Sequence, residues 1–501
     1  MKGENIPVIF GLKLRQLREV RGLGLKELST LAHISPSYMT EIEKGKKYPK
    51  ADKIMQLAEA LGVPYDEMVS LKLGEALNPL ESFLDSPIIQ VLPLQMFGLN
   101  PRDILALVSR APKEISALVR TLMEIAGSYN MQVEHFFYAM LRSYQEGHDN
   151  YFQEIETAAD EFASSRQMAG EAPVSLERLR DLLTREMGVK VDPIDLNRYP
   201  DLNEFRSIWV QGKPPRLLIN PNLDERQQAF QIGREVGYRE MGLGARGITS
   251  SRAEVESFEQ VMNDFKASYF AGALMIPETA LVKKLHDLFA MKKWDADRFM
   301  AIMNHFQVTP EMFLYRITQL IPKHFGLKTL YFLRINHQLE QNRFRLSKQL
   351  NMSGLMIPTE NNRNEHYCRR WEGVKLLSVL ARQQKQGSAN SPLIAAQRAR
   401  FGSNDDPFFH ITLARPLALT PNTNTSVTLG FRIDHLFKTT VGWWDDQEVP
   451  MAEVYESCER CGLEPSECEL RAVPPSIFES KRVIENRNVK LNALLSEMSG
   501  I

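Results

Sequence analysis

"FQIGREVGYREMG", residues 230–242, sets Glu235 between Arg234 and Tyr238. The spacing is that of a His-Glu-x-x-His helix, in which two histidines four residues apart hold zinc on one helix face and the glutamate serves as general base. Neither metal position carries a donor here. A guanidinium stays cationic and a phenol stays protonated near neutral pH, whereas zinc requires imidazole, thiolate or carboxylate. Glu235 keeps the base position without a metal-activated water to act on. We therefore expect a peptidase frame that has lost its chemistry, and assign no catalytic residue.

The flanking sequence supplies the rest of that frame. Asp224 precedes the helix as an N-cap, "RSIWV" and "RLLIN" read as short strands about the "QGKPP" turn, and "EIETAADEFA" reads as an earlier helix. Farther on, "NDFKASYFAGALMIP" places Asp264 where a third, acidic ligand would stand. Residues 155–325 are thus expected to form an α+β domain that resembles the zinc metallopeptidases associated with phage-repressor cleavage and stress responses. Arg234 and Tyr238 share a helix face and point together into the cleft. Two readings stay open: an anion pocket for a phosphorylated or carboxylate ligand, or a plug in which Arg234 pairs with Asp264 or Glu235.

Near the N-terminus, Phe10, Leu14, Leu17 and Val20 fall at helical spacing, and "RGLGLKELSTLA" follows with a second short helix. In "HISPSYMTEIEKGKKYP", Ser35 is a good N-cap, Pro36 suits the first helical position, Met39 and Ile42 face inward, and Gly45 ends the helix. Ile54, Leu57, Ala58 and Leu61 line a further helix that stops at Gly62. Residues 9–69 resemble the five-helix helix-turn-helix of phage-repressor-type regulators, with Arg18 and Glu43 at the positions of that family's ion pair. His33 stands where the turn usually has glycine. The resemblance implies that Ser37, Tyr38 and Glu41 face base edges in the major groove of an operator duplex. Thr40 lies near the DNA backbone, and Lys26, Lys44, Lys46 and Lys47 meet phosphates. The plainer reading is a small helical bundle with solvated lysines.

Residues 71–154 read as a helical linker, proline-punctuated at first and amphipathic later. A head that reads two half-sites needs a pairing element, and this linker is either that element, making a homodimer or higher oligomer, or a packed spacer.

All four cysteines lie in the C-terminal third, residues 326–501. "SCERCGLEPSEC" spaces Cys458, Cys461 and Cys468 as C-x2-C-x6-C, and Cys368 sits in "NEHYCRRW". Thiols with two residues between them can share one ion, and spacing alone leaves zinc and an iron-sulfur cluster open, with a redox pair or an incidental cluster as alternatives. His366 is a substitute ligand or a structural histidine. In "SVTLGFRID", Val427, Leu429, Phe431 and Ile433 alternate with Thr428, Gly430 and Arg432, which predicts a half-buried strand. Beside a helical domain such a sheet can enclose an apolar cavity for an acyl group.

The ordered set, a repressor-type head, a degenerate peptidase domain, "NEHYCRRW" and "CERCGLEPSECELRAVPP", resembles the short-chain fatty acyl-CoA-responsive transcriptional regulators over nearly the whole chain. The resemblance implies a bacterial regulator of short-chain fatty acid, propionate or glyoxylate metabolism, whose C-terminal region senses an acyl-CoA. It also implies an iron-sulfur cluster rather than zinc on the four cysteines. Arg369, Arg370, Arg398, Arg400, Arg415 and Arg432 are candidates for the coenzyme A phosphates or for another polyanion outside the ligand pocket, and Trp443 with Trp444 either stack adenine or belong to the core. Redox or iron sensing without an acyl ligand is the rival reading; an active metallopeptidase and a pure scaffold are weaker ones.

Composition sets the outer bounds. The chain of 501 residues has a formal net charge of -1, enough for roughly three or four domains. Residues 1–50 carry ten Lys or Arg against five Glu, a basic head suited to a polyanion. No apolar run approaches the roughly 18 residues of a membrane span, and the N-terminus lacks a signal-peptide layout. A cytoplasmic protein, multidomain and mainly α with α+β parts, is the expectation.

Overall fold

The structure, a computed structural model, describes residues 6–70, 121, 133–168, 170, 173–249, 255–358, 365–388, 392–402 and 406–499. The chain divides into two compact units, 1–136 and 137–501. Between 71 and 132 only Thr121 is described, so the pairing role expected of the linker lies outside the described residues.

In the first unit, five helices follow one another: α1 Ile6–Val20, α2 Leu25–Leu31, α3 Pro36–Glu43, α4 Ala51–Leu61 and α5 Tyr65–Val69. Phe10, Leu14, Leu28, Met39, Ile42, Ile54, Leu57, Leu61 and Met68 meet in one core. Ser35 caps α3 by accepting the Tyr38 N–H at 3.3 Å, and His33 adopts φ 49° in the turn before it. The histidine thus takes the left-handed conformation that glycine would take without strain. Helices α1 and α3 cross closely at Gly11, where a Cβ would sit 2.3 Å from the Ile42 carbonyl oxygen.

The boundary falls within α6 Val133–Gly147, and the second unit continues with α7 Gln153–Ser165 and α8 Leu176–Asp181. A small sheet follows, of β1 Lys190–Pro193, β2 Ser207–Val210 and β3 Arg216–Ile219, with β3 in the middle. The two strands expected about the "QGKPP" turn are β2 and β3, paired antiparallel. Strand β1 is an addition that four residues could not announce. Helix α9 Glu225–Glu240 begins at an Asp224–Gln227 capping box and packs along α10 Phe258–Met275. Helices α11 Glu278–Phe289, α12 Ala296–His305 and α13 Pro310–Phe325 complete this layer. Arg316 on α13 grips Glu156 on α7 through two bonds of 2.5 and 2.8 Å, and Tyr269 donates to the same carboxylate at 2.7 Å. All three side chains are buried, so the network ties α7, α10 and α13 together.

The chain then enters a six-stranded sheet ordered β5-β4-β8-β7-β6-β9. Its strands are β4 Leu330–Gln338, β5 Arg343–Asn351, β6 Leu393–Phe401, β7 Asp406–Pro416, β8 Thr423–Arg432 and β9 Met451–Val454. Helix α14 Glu372–Lys385 lies across β6, β7 and β8, while α13 contacts β4 and β8. Covered from both sides, β8 is buried from Thr423 to Phe431. This corrects the expectation of a half-buried strand. The polar half of its alternation faces α14 instead of water, with Thr412 and Thr428 hydroxyls 3.0 Å apart and Asn424 bonded to Gln384. Gly430 lets the Tyr331 ring lie across it to reach His410, Oη to Nε2 2.5 Å; a Cβ there would fall 2.5 Å from that ring. Helix α15 His435–Thr440 and helix α16 Ser476–Ser499 finish the chain.

Candidate functional site

The head presents a polar, accessible face on α3. Ser37, Lys26, Lys44, Lys46 and Lys47 are exposed, and Tyr38, Thr40 and Glu41 are partly so. Behind that face, Arg18 forks onto Glu43 with bonds of 2.7 and 3.1 Å and donates to the Leu23 carbonyl at 2.9 Å. This bidentate pair fixes α3 against α1. Glu41 is engaged by Lys47 at 2.9 Å, a hydrogen bond that holds its carboxyl below the ordinary range. The Thr40 hydroxyl turns back to the Pro36 carbonyl at 2.8 Å.

In the second unit the peptidase positions converge, as their spacing requires, but on one another. The Arg234 guanidinium is bonded to Asp264 Oδ1 and, at 3.1 Å, to Gln231. Tyr238 donates to the same Asp264 oxygen at 3.3 Å. Burial, with the Asp264 charge beside it, pushes the phenol well above its usual range, so it remains protonated. Of the two partners foreseen for Arg234, Asp264 is the one it takes. Glu235 is held instead by Arg246, at 3.0 and 2.6 Å, and by Arg239 at 3.3 Å. Arg246 also lies over the Trp209 and Tyr238 rings, at 4.1 and 4.3 Å. The cleft retains about 20 Å³, room for about one water. Of the two readings of Arg234 and Tyr238, this geometry is that of the plug: the guanidinium pairs with Asp264 inside the cleft, as a buried charge requires a partner. Arg246 and Gln231 carried no motif signal that would have marked them.

The cysteine lobe is built by pairing two distant segments. Tyr367 bridges Ser457, Cys458 N–H donates to the His366 carbonyl at 2.8 Å, and Arg460 forks onto Glu365 at 2.8 and 2.9 Å. Cys368, Cys458, Cys461 and Cys468 are all buried and none is joined in a disulfide. Two of the sulfurs already receive donors: Ala472 N–H to Cys458 Sγ at 3.5 Å and Arg471 to Cys461 Sγ at 3.6 Å. Burial pushes the Cys368 thiol up to about 11 and raises Cys458. His366 is exposed, and its Nδ1 is bonded to Glu459 at 2.8 Å. Donor chemistry and N–H···S bonds suit a thiolate-bound centre. Among the described residues, however, no three His, Cys, Asp or Glu side chains stand close enough to hold an ion as they are placed.

The six arginines named for coenzyme A do not form one site. Arg369 lies over Phe344, 4.3 Å from its centroid, and Arg370 donates to the Glu467 carbonyl at 3.3 Å, both beside the cysteine lobe. Arg398 clasps the Val449 and Asp445 carbonyls, Arg400 is exposed on the same strand, and Arg432 ends β8. Arg415 faces the peptidase-like layer, 3.9 Å from Asp224. Of the two readings of the tryptophan pair, core or adenine platform, Trp443 takes the core one. Trp443 is fully buried, donates to the Leu288 carbonyl and packs against Phe289, Trp294, Phe409 and Phe437; only Trp444 keeps an accessible face.

Residues 11–74 match a family described as "Helix-turn-helix domain", and residues 177–318 match one described as "IrrE N-terminal-like domain". The chain is homologous to the HTH-type transcriptional regulator RamB of Mycobacterium tuberculosis (strain CDC 1551 / Oshkosh), 24% identical over 333 residues. That alignment covers 62% of this chain and 65% of RamB, just under two thirds of the relative. The HTH-type transcriptional repressor RghR of Bacillus subtilis (strain 168) is 43% identical over 61 residues, 12% of this chain and 45% of RghR. A solved Mycobacterium tuberculosis transcriptional regulator covers 68% of this chain and 94% of its own, with 19% identity and a TM-score of 0.45. No helix among the described residues is long and apolar enough to cross a membrane.

Proposed function

We propose that the protein is a one-component transcriptional regulator that binds operator DNA as a homodimer or higher oligomer, with its DNA affinity set by a short-chain acyl-CoA-type metabolite. One observation carries the reading: an accessible recognition helix is joined in one chain to a peptidase fold whose cleft an Arg234–Asp264 pair has filled. A fold that keeps its frame beside such a head, without metal ligands at the catalytic positions, is left with binding as its task. Two heads read half-sites about 34 Å apart, one helical turn of DNA. Ser37, Tyr38 and Glu41 contact base edges, Thr40 lies by the backbone, and the four lysines meet phosphates. A ligand that prefers one dimer geometry by about 1–3 kcal/mol changes operator affinity about 5 to 150-fold. Cytoplasmic location follows from that task.

The test is selection of binding sites from a random duplex library by the full chain, then titration of the selected duplex with and without propionyl-CoA, free coenzyme A serving as control. Recovery of a two-half-site motif whose affinity shifts with propionyl-CoA and not with coenzyme A supports the reading. Recovery of no motif overturns the DNA-reading role, and a motif indifferent to acetyl-, propionyl- and butyryl-CoA overturns the acyl-CoA effector.

A second reading, redox or iron sensing, is favoured by the four buried thiols. Cys368, Cys458, Cys461 and Cys468 would hold an iron-sulfur cluster, or zinc, and such a centre would link the segment before α14 to the loop after β9. Absorbance and metal content of protein purified without air decide it. Brown protein with iron and sulfide supports the cluster, colourless protein with zinc supports a structural site, and metal-free protein removes both.

A further inference from the structure

A second charged region lies between the peptidase-like layer and the six-stranded sheet, and neither the cleft nor the cysteine lobe includes it. Arg334 on β4, Lys348 on β5 and Arg415 on β7 project from one face of the sheet. Arg206, just before β2, Arg226 in the first turn of α9, Glu311 in the first turn of α13 and the N-cap Asp224 face them. Strand register places Lys348 directly across from Arg334, a like-charge pairing that costs stability in a sheet. Glu311 relieves part of it, 3.2 Å from Arg334 and 3.5 Å from Lys348. Arg415 has Asp224 at 3.9 Å. The Arg206 side chain has neither hydrogen bond nor ion pair among the described residues. Five cations thus act on one another across two carboxylates.

These groups sit deep among protein atoms without being sealed: 34% of the Lys348 side chain, 21% of Glu311 and 17% of Arg415 remain accessible. Burial and mutual repulsion lower the proton affinity of Arg206, Arg415 and Lys348, while their combined field outweighs burial at Glu311 and holds it well below the usual carboxylate range. Lys348 is further oriented by the Tyr315 ring, 3.9 Å from its ammonium.

We propose that this seam binds the phosphate of a small phosphorylated molecule, with Arg206 and Arg415 as the forks that grip its oxygens and Glu311 holding Arg334 and Lys348 in place behind them. A surplus of guanidinium over carboxylate among partly desolvated groups is the arrangement that planar, bidentate phosphate recognition uses. The choice of coenzyme A as source of the phosphate rests on the regulator reading above; the anion chemistry does not. Because the cations come from both layers, a ligand here would tie the sheet to the peptidase-like frame.

The experiment is calorimetry on the full chain in phosphate-free buffer with pyrophosphate, coenzyme A, dephospho-coenzyme A, acetyl-CoA and propionyl-CoA as probes. It compares wild type, Arg206→Gln, Arg415→Gln and the exposed control Arg185→Gln, with thermal unfolding of each unliganded protein alongside. Each seam variant should bind a phosphate probe about 10 to 100-fold more weakly, and its unliganded melting temperature should hold or rise because repulsion is removed. The control should match wild type. Unchanged affinity in both seam variants, no binding of any probe, or a fall in unliganded melting temperature with affinity retained would overturn the site. Pyrophosphate binding as tightly as coenzyme A, lost in Arg206→Gln, keeps the site and assigns it to inorganic anions. Acyl-chain-dependent binding indifferent to Arg206 and Arg415 keeps the acyl-CoA reading and removes this site.

Discussion

Arg18–Glu43 in the head and Arg234–Asp264 in the peptidase-like layer are made of the same groups and do opposite things. The first lies behind a working surface: both side chains are nearly buried, at 12% and 8%, and their bond fixes the helix that carries Tyr38 and Glu41. The second lies on the working surface itself, where Arg234 is nearly buried and Asp264 is half exposed, at 10% and 50%. An ion pair beneath a site gives it rigidity, whereas an ion pair within a site takes the place of the ligand.

That contrast can be broken from the cleft side first. Arg234→His with Tyr238→His returns two imidazoles beside Asp264, and the double variant should retain zinc through dialysis while hydrolysing no peptide, because Arg246 and Arg239 still occupy Glu235. Metal analysis that finds no zinc would mean the frame has lost the ligand geometry as well as the ligands. Next in size, Glu156→Ala should cost the second unit about 3–5 kcal/mol in denaturant unfolding, since it strands the fully buried Arg316. A loss near zero would show that the layer does not depend on its buried network. Arg18→Ala should destabilise the head by about 1.5–3 kcal/mol and reduce specific DNA binding in parallel. Stability lost without any loss of binding would separate the pair from the surface it is said to support. Arg234→Ala alone should cost about 1 kcal/mol or less, because its partner is half exposed; a larger loss would place that pair with the buried ones. Smallest of all, Lys46→Ala should lower the salt dependence of DNA binding by about one unit of slope with little effect on sequence preference. An altered preference would move Lys46 from phosphate to base contact.

Legibility followed the distance over which each feature is encoded. The head was readable almost residue by residue, because Ser35, Pro36, Met39, Ile42 and Gly45 act within one or two turns of chain. The peptidase helix and Asp264 were readable because a fixed i, i+4 spacing and a second segment announce them. The partner of Glu235 was not, since Arg246 arrives from a loop with no periodic signature. The apolar alternation of β8 was real, but it gave the wrong burial: alternation reports two faces and does not say whether water or α14 covers the second. Trp443 and Trp444 are adjacent in sequence and differ in exposure for the same reason.

By itself, the sequence determined the order of parts, the head's helices and caps, and the loss of zinc ligands at Arg234 and Tyr238. Only the tertiary structure decided that Arg234 pairs with Asp264 and not Glu235, that the six C-terminal arginines scatter, and that Arg206, Arg334, Lys348 and Arg415 meet. The reason is physical. Caps, turns and helix faces are fixed by neighbours a few residues away, whereas charge pairing and burial are fixed by strand register and by which layer covers a sheet, and neither is written in any one stretch of chain.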